Sequence, residues 1–359
     1  MLARETRGCG QGGAVAALRI AQPAYTGLGW LRVRSEFPDT NAWESLWKKG
    51  AICRGRFFRG TLGCVLKENL HLYLDACVPD RTAPINNTCC KIVQILDRDK
   101  PVTTDQLGAE LRMAKGQLRD ALVDLGLRGM VIESPIGTWL LADRSNTPTA
   151  TLDSESCFQA QAEVIRRFLN TYGTATVREI ADWSSWPVRR IGKVMEFLSD
   201  AELVALCILD TAPDMLQYVC VEDIARIQEI QPIERFISIP DCFDPVVRAQ
   251  KTDLEQRYGY GSSIPAFWHY IMLSGQWIGG LRIHHKQKMF WIEEMYLEED
   301  VIADAQLASE VFKEIRRLSH HPIRIDNLNG VPADTPINRE ILSEQGCQVE
   351  QGAAMLYAV

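Results

Sequence analysis

Three arginines, Arg54, Arg56 and Arg59, fall inside one short stretch, RGRFFRGTLGCVLKENL, around a glycine turn at Gly60. The stretch reads as a strand, a tight turn and a second strand, followed by a helix that starts near Lys67. Guanidinium groups carried on a rigid hairpin suit phosphate oxygens or a widened DNA groove, because each is permanently charged and offers several donors. Thr61 follows the turn and joins the same set of expected DNA contacts. A surface hairpin with solvated arginines explains this stretch equally well. Further along, a helical pattern over residues 114–127 exposes Lys115, Gln117 and Arg119, with Arg128 just beyond. These suit phosphates too, and a solvated face accounts for them as readily.

Other chemistry is absent from the pattern. Residues 8–13, GCGQGG, formally satisfy G-x-G-x-x-G, but no strand can precede them so close to the start. There is no Walker loop, H-E-x-x-H, C-x-x-C or G-x-S-x-G. The pairs His284-His285 and His320-His321 are neighbours in sequence. Adjacent residues on a strand point to opposite faces, so neither pair is read as a shared metal site, and no metal or cofactor is expected. Cys53 and Cys64 sit on the two arms of the hairpin and are read as small buried apolar groups.

The chain has 359 residues, 46% of them hydrophobic and 24% charged, which places it among soluble globular proteins with room for several compact units. No apolar run approaches the ~20 residues of a membrane span, so no membrane association is expected. Eleven cysteines without regular spacing fit reduced thiols in a cytoplasm. The net charge of −7 argues against general coating of nucleic acid, yet it is unevenly spread. Basic residues outnumber acidic ones up to Asp80, whereas acids dominate from Asp153 to Glu234. A DNA partner should therefore meet the N-terminal part.

The elements that would position the cations follow a recurring order. Helical patterns at 14–21, 25–33 and 41–49 precede the hairpin. Helix 86–97, a short helix to Leu111 capped at Thr103, helix 114–127 and a hairpin over 130–142 follow. The order recurs in helix 156–171, a short helix with Thr176 and Glu179 as a capping box, helix 187–198, and a hairpin over 203–221. Glu196, Asp200 and Glu202 make the polar face of that last set acidic. Helix, short helix, helix and wing is the winged form of helix-turn-helix. The expected domains are 1–82, 83–148 and 149–230 as winged helices and 231–359 as a small α+β domain resembling a partial β-barrel. The fold class is thus α+β, with tandem winged helices ahead of the barrel-like domain.

RGRFFRGTLGCV resembles the R-x-W-x-M-R-G-T-L-H-x-V segment of the AlkZ/YcaQ-like winged-helix DNA glycosylases. Residues 175–188, ATVREIADWSSWPV, are similar to that family's A-T-x-x-D-x-A-W-W-(S/T)-G-L-P. Residues 239–245, IPDCFDP, and 276–283, QWIGGLRI, are similar to its L-x-P-x-F-D-P and G-x-x-V-G-x-x-x. Residues 329–336, with Leu342 and Gly346, also resemble the C-terminal region of the large Lhr-type helicases. The resemblance spans nearly the whole chain. It implies a concave, DNA-embracing protein that removes N-alkylated purines, including those in interstrand crosslinks. In the family a Q-x-Q or Q-x-D pair near the N-terminus positions the attacking water. Here that motif falls near residues 19–23, RIAQP, where only Gln22 is a glutamine and Ile20 occupies the partner position. Gly63 replaces the family's histidine.

Two readings stand. One is a DNA glycosylase with a degraded motif, Gln22 being its catalytic residue and Arg54, Arg56, Arg59, Thr61, Lys115 and Arg119 its DNA contacts. The other is a non-catalytic relative: a DNA-binding regulator, a lesion sensor or a protein-interaction scaffold. The expected partner is double-stranded DNA, alkylated or crosslinked; a monomer associated with the nucleoid in the cytoplasm is expected.

Overall fold

The structure is a computed structural model describing residues 22–23, 50–58, 61–77, 84–97, 101–133, 137–142, 155–209, 212–229, 235–240, 242, 244–258, 267–286, 289–319 and 321–357. The helices expected at 14–21, 25–33 and 41–49, together with Ile20, Arg59 and Gly60, lie outside the described residues. The fold is mixed α+β and divides into two compact units, Met1–Ile230 and Gln231–Val359.

In the first unit, strands β1 (Gln22–Pro23), β2 (Ile52–Phe57) and β3 (Thr61–Leu66) lead into α1 (Leu70–Cys77). Next come α2 (Asn87–Leu96), β4 (Val102–Thr103), α3 (Thr104–Leu111), α4 (Lys115–Leu127), β5 (Val131–Glu133) and β6 (Thr138–Leu141). The same order returns as α5 (Glu155–Tyr172), β7 (Thr174–Ala175), α6 (Val177–Ser184), α7 (Val188–Asp200), β8 (Val204–Leu209) and β9 (Ala212–Cys220), closed by α8 (Val221–Glu229).

Local chemistry explains why these segments are helical. Asn86 caps α2, its side-chain oxygen accepting from the Cys89 backbone N–H at 2.8 Å. Thr103 with Gln106 and Thr176 with Glu179 form reciprocal capping boxes at the starts of α3 and α6. Both short helices end on a left-handed residue, Arg112 at φ 53° and Ser185 at φ 60°, which turns the chain into the following helix. Ile92, Leu107, Leu118, Leu122, Leu125 and Val131 form one core beneath α2–α4. Val164, Phe168, Ile180, Trp183, Ile191 and Val194 are buried along α5–α7.

The two sheets of this unit run β1-β3-β2-β5-β6-β4 and β7-β9-β8. The first joins two hairpins that are far apart in sequence. β2 pairs with β3 on one side and with β5 on the other, through the rung Arg54↔Glu133.

The second unit holds an eight-stranded sheet, β10 (Ile237–Ser238), β11 (Phe267–Leu273), β12 (Gln276–Lys286), β13 (Met289–Leu297), β14 (Ile323–Leu328), β17 (Ala353–Leu356) and β16 (Gln348–Glu350) in order, with β15 (Val331–Pro332) on β14. The pair β13–β14 is parallel, and the remaining pairs are antiparallel. Among the described residues the strand order does not close into a barrel. Helices take the place of closure. One face packs Ile271, Leu281, Ile292 and Ile325 against Val311 and Phe312 of α12 (Ala305–Arg316). The other face packs Trp268, Tyr270 and Trp277 against Leu254 and Tyr258 of α10 (Lys251–Tyr258), which follows α9 (Pro245–Ala249). α11 (Glu299–Ala303) precedes α12, and α13 (Pro336–Glu344) buries Leu342. Gly279 is required in β12, because a Cβ there would run into the Tyr296 carbonyl oxygen of the neighbouring strand. No helix among the described residues is long and apolar enough to cross a membrane.

Candidate nucleic-acid interface

Strand alternation sorts the side chains of β2. Cys53 and Phe57 are buried, whereas Arg54 and Arg56 share the opposite, partly exposed face. Because β2 lies between β3 and β5, these two arginines sit within a sheet rather than at a free tip. The Arg54 guanidinium approaches the Glu133 carboxylate of β5 at 3.3 Å, with side-chain exposures of 25% and 20%. Arg56 crosses α4 where the helix has Gly126; a Cβ at that position would stand 3.3 Å from the Arg56 Cδ. A larger residue there would push the arginine aside.

Phe58 follows the last residue of β2. Its φ of 38° is left-handed, a region that costs an L-residue free energy. Its ring is buried against Tyr73, Trp183 and Trp186, with centroids 6.1, 4.8 and 5.8 Å away. Trp183 in turn stacks on Phe168 of α5 at 4.1 Å. Polar contacts hold the same elements together. The Gln161 side-chain amide donates to the Ala76 carbonyl at 3.1 Å, and Arg167 donates to Asn69 at 2.8 Å. The arginine hairpin is therefore braced by the β5–β6 hairpin on one side and by α5–α6 on the other.

The remaining expected contacts are distributed around this hairpin. Gln22 is opposite Cys64 in register, and Pro23 is opposite Gly63. Since Cys64 also pairs with Arg54, and Glu133 pairs with Trp139, one row of the sheet reads Gln22, Cys64, Arg54, Glu133, Trp139. Two strand spacings of about 4.8 Å separate Gln22 from Arg54 along it. Thr61 pairs with Phe57 at the end of the hairpin. Arg59 is outside the described residues. Lys115 and Arg119 of α4 are 89% and 79% exposed, near Asp105 at 3.2 Å and Asp120 at 3.7 Å. Such exposed ion pairs contribute little to stability and leave both cations open to an anionic partner.

Arg54, Arg56 and Arg119 converge on one cavity of about 190 Å³ between the hairpin and α4. Glu133, Thr104 and Trp139 also line it, and sequence reasoning missed all three. Their placement depends on the β2–β5 rung, a long-range pairing with no local signature. Arg189 and Lys193, exposed on the first half of α7, were also overlooked. The acidic residues Glu196 and Asp200 occupy only the second half of that helix. The two hairpin cysteines are buried as free thiols. Burial pushes the Cys64 thiol up to about 12, against a smaller opposing pull from Arg54, and burial likewise raises Cys53. Among the described residues no three His, Cys, Asp or Glu side chains come together as a metal site.

The family described as DNA glycosylase AlkZ-like matches residues 13–256, and the chain belongs to that family. The likeness of the arginine hairpin and of residues 175–188 and 239–245 falls inside that span. Among solved structures, the fold is similar to that of Streptomyces sahachiroi DNA glycosylase AlkZ. The TM-score is 0.64 at 16% identity, over 90% of this chain and 95% of that one. None of the curated proteins matches.

Proposed function

We propose that this protein binds double-stranded DNA through a winged-helix surface and acts on, or recognises, alkylated or crosslinked purines. The observation that carries the proposal is the row Gln22–Cys64–Arg54–Glu133 in one sheet of an AlkZ-like chain, with Arg56 and Arg119 lining the cavity beside Arg54 and Glu133. The recurring order of three helices and a hairpin supports the winged-helix assignment over 83–148 and 149–230, and the β1–β3–β2 arrangement supports a first unit of the same kind. In this reading Arg54, Arg56, Arg59, Thr61, Lys115 and Arg119 hold the backbone, the 231–359 unit is a separate α+β domain, and the protein acts as a monomer at the nucleoid.

The chemistry asks little of the protein. N7-alkylation makes the purine a cationic leaving group. When the C1′–N9 bond breaks, its electron pair neutralises the base, and a water oxygen bonds C1′ with loss of a proton. The protein needs to orient that water and stabilise an oxocarbenium-like sugar. An amide such as Gln22 can hold a water as acceptor and donor together. Ile20 at the partner position cannot, and Gly63 removes a further polar group. These two residues favour a second reading, a lesion reader that binds without excision.

Single-turnover excision on a duplex carrying one 7-methylguanine tests the first reading, with abasic sites revealed by alkaline cleavage. Product that disappears in Gln22→Ala establishes catalysis with half the usual motif. Absence of product together with salt-sensitive binding establishes the reader. Unchanged DNA affinity in the Arg54/Arg56/Arg59 triple alanine variant removes both and leaves an interaction scaffold.

A further inference from the structure

The cavity between β2 and α4 is too apolar for a simple anion site and too charged for a packing defect. Leu122, Val123 and Val131 supply apolar wall, while Arg54, Arg56 and Arg119 supply three positive charges against the single carboxylate of Glu133. Trp139 is half-buried beside it, its indole N–H donating to the Thr104 hydroxyl at 3.0 Å. That hydroxyl retains a proton to give to a ligand acceptor. The volume of about 190 Å³ exceeds the roughly 150 Å³ of an apolar cavity that holds benzene, so one flat heterocycle fits and a helix or paired bases do not.

From this combination we infer that the cavity is a purine-nucleotide site, which takes one unpaired guanine of DNA with its phosphate at the arginine-lined mouth. Guanine presents N1–H and N2–H₂ donors side by side, and the Glu133 carboxylate presents acceptors to meet them. Trp139 and the guanidinium planes offer surfaces on which a base stacks. The exposed Arg119 stands where a phosphate would enter. The site lies two and three strands along the row from Gln22, so the base it takes is distinct from one attacked there. The inference deepens the DNA-binding proposal and rests on it for its source of nucleotide.

The test uses the full chain in low salt and reads saturation transfer from protein to deoxyguanosine monophosphate. Base protons should respond, and Val123→Phe, which fills the cavity, should reduce the response about tenfold. Glu133→Gln keeps the shape, removes the acceptor charge and should weaken binding by a similar factor. It carries the test if Val123→Phe fails to give a native circular dichroism spectrum. On DNA, a duplex with one bulged guanine should bind about tenfold tighter than the fully paired duplex, and Val123→Phe should bring the ratio near one.

Equal signals in parent and folded variants overturn the inference, as does inorganic phosphate binding without any base response. Paired DNA bound with no bulge preference and no nucleotide signal leaves the DNA proposal intact and removes this one. Nucleotide binding that is lost in the variants, with no DNA bound at all, overturns the guanine of DNA as the ligand together with the DNA proposal, and leaves a site for a free purine nucleotide.

Discussion

Phe58 holds the arginine hairpin through two opposed effects, and substitution separates them. Its ring fills the space between Tyr73, Trp183 and Trp186, so Phe58→Ala should cost about 3–5 kcal/mol. Its backbone, at φ 38°, carries about 1–2 kcal/mol of left-handed strain that alanine retains and glycine relieves. Glycine gives back about 0.5–1 kcal/mol through the greater freedom of the unfolded chain. Phe58→Gly should therefore be about 0.5–1 kcal/mol more stable than Phe58→Ala, the reverse of the usual order in extended chain. Urea unfolding of both variants, followed by tryptophan emission, measures the difference directly. At a slope of about 2 kcal/mol per molar, the glycine variant should unfold a few tenths of a molar later. An alanine variant at least as stable as the glycine one would falsify the strain argument. A loss below about 1 kcal/mol in both would remove the aromatic anchor as well.

Arg54→Ala leaves the largely buried Glu133 without its cation and should cost about 1–3 kcal/mol in thermal unfolding, with Glu133→Gln recovering part of the loss in the double variant. Gly126→Ala should leave stability unchanged or raise it by up to about 1 kcal/mol through helix propensity, yet weaken DNA binding because the new Cβ displaces Arg56. Lys115→Ala with Arg119→Ala should lower the slope of log affinity against log salt by about 2, and an unchanged slope would take α4 out of the interface. Thr176→Ala removes the α6 capping box and should cost about 1 kcal/mol in the same urea assay. Burial lifts Cys64, Cys220 and Cys347 from 9.0 to about 12, so the unfolded chain releases these protons first as pH rises. Stability should hold below pH 9, fall between 9 and 12, and fall less in Cys64→Ala when denaturation midpoints are compared.

The helices were legible wherever a local rule decided them. Thr103 and Thr176 declare helix starts through a partner three residues on, and the spacing of Leu118, Leu122 and Leu125 declares the buried face of α4. The hairpin was legible as a hairpin, for Arg54 and Arg56 alternate with buried neighbours. Its setting was not. Whether β2 ends at solvent or continues into β5 depends on Arg54 meeting Glu133, 79 residues later, and no periodicity within either strand reports that encounter. A still longer separation, 125 residues, hid Trp183 as the anchor of Phe58. The consequence reaches function. An arginine at a free tip can be swapped for lysine with little more than a change in charge geometry. An arginine locked in a six-stranded row beside a carboxylate has its fork aimed by the fold. Arg54→Lys should therefore weaken binding of any partner that the cavity receives, even with net charge unchanged. If Arg54→Lys binds paired DNA and deoxyguanosine monophosphate as the parent does, the rung serves to join the two hairpins and the guanidinium plane recognises nothing.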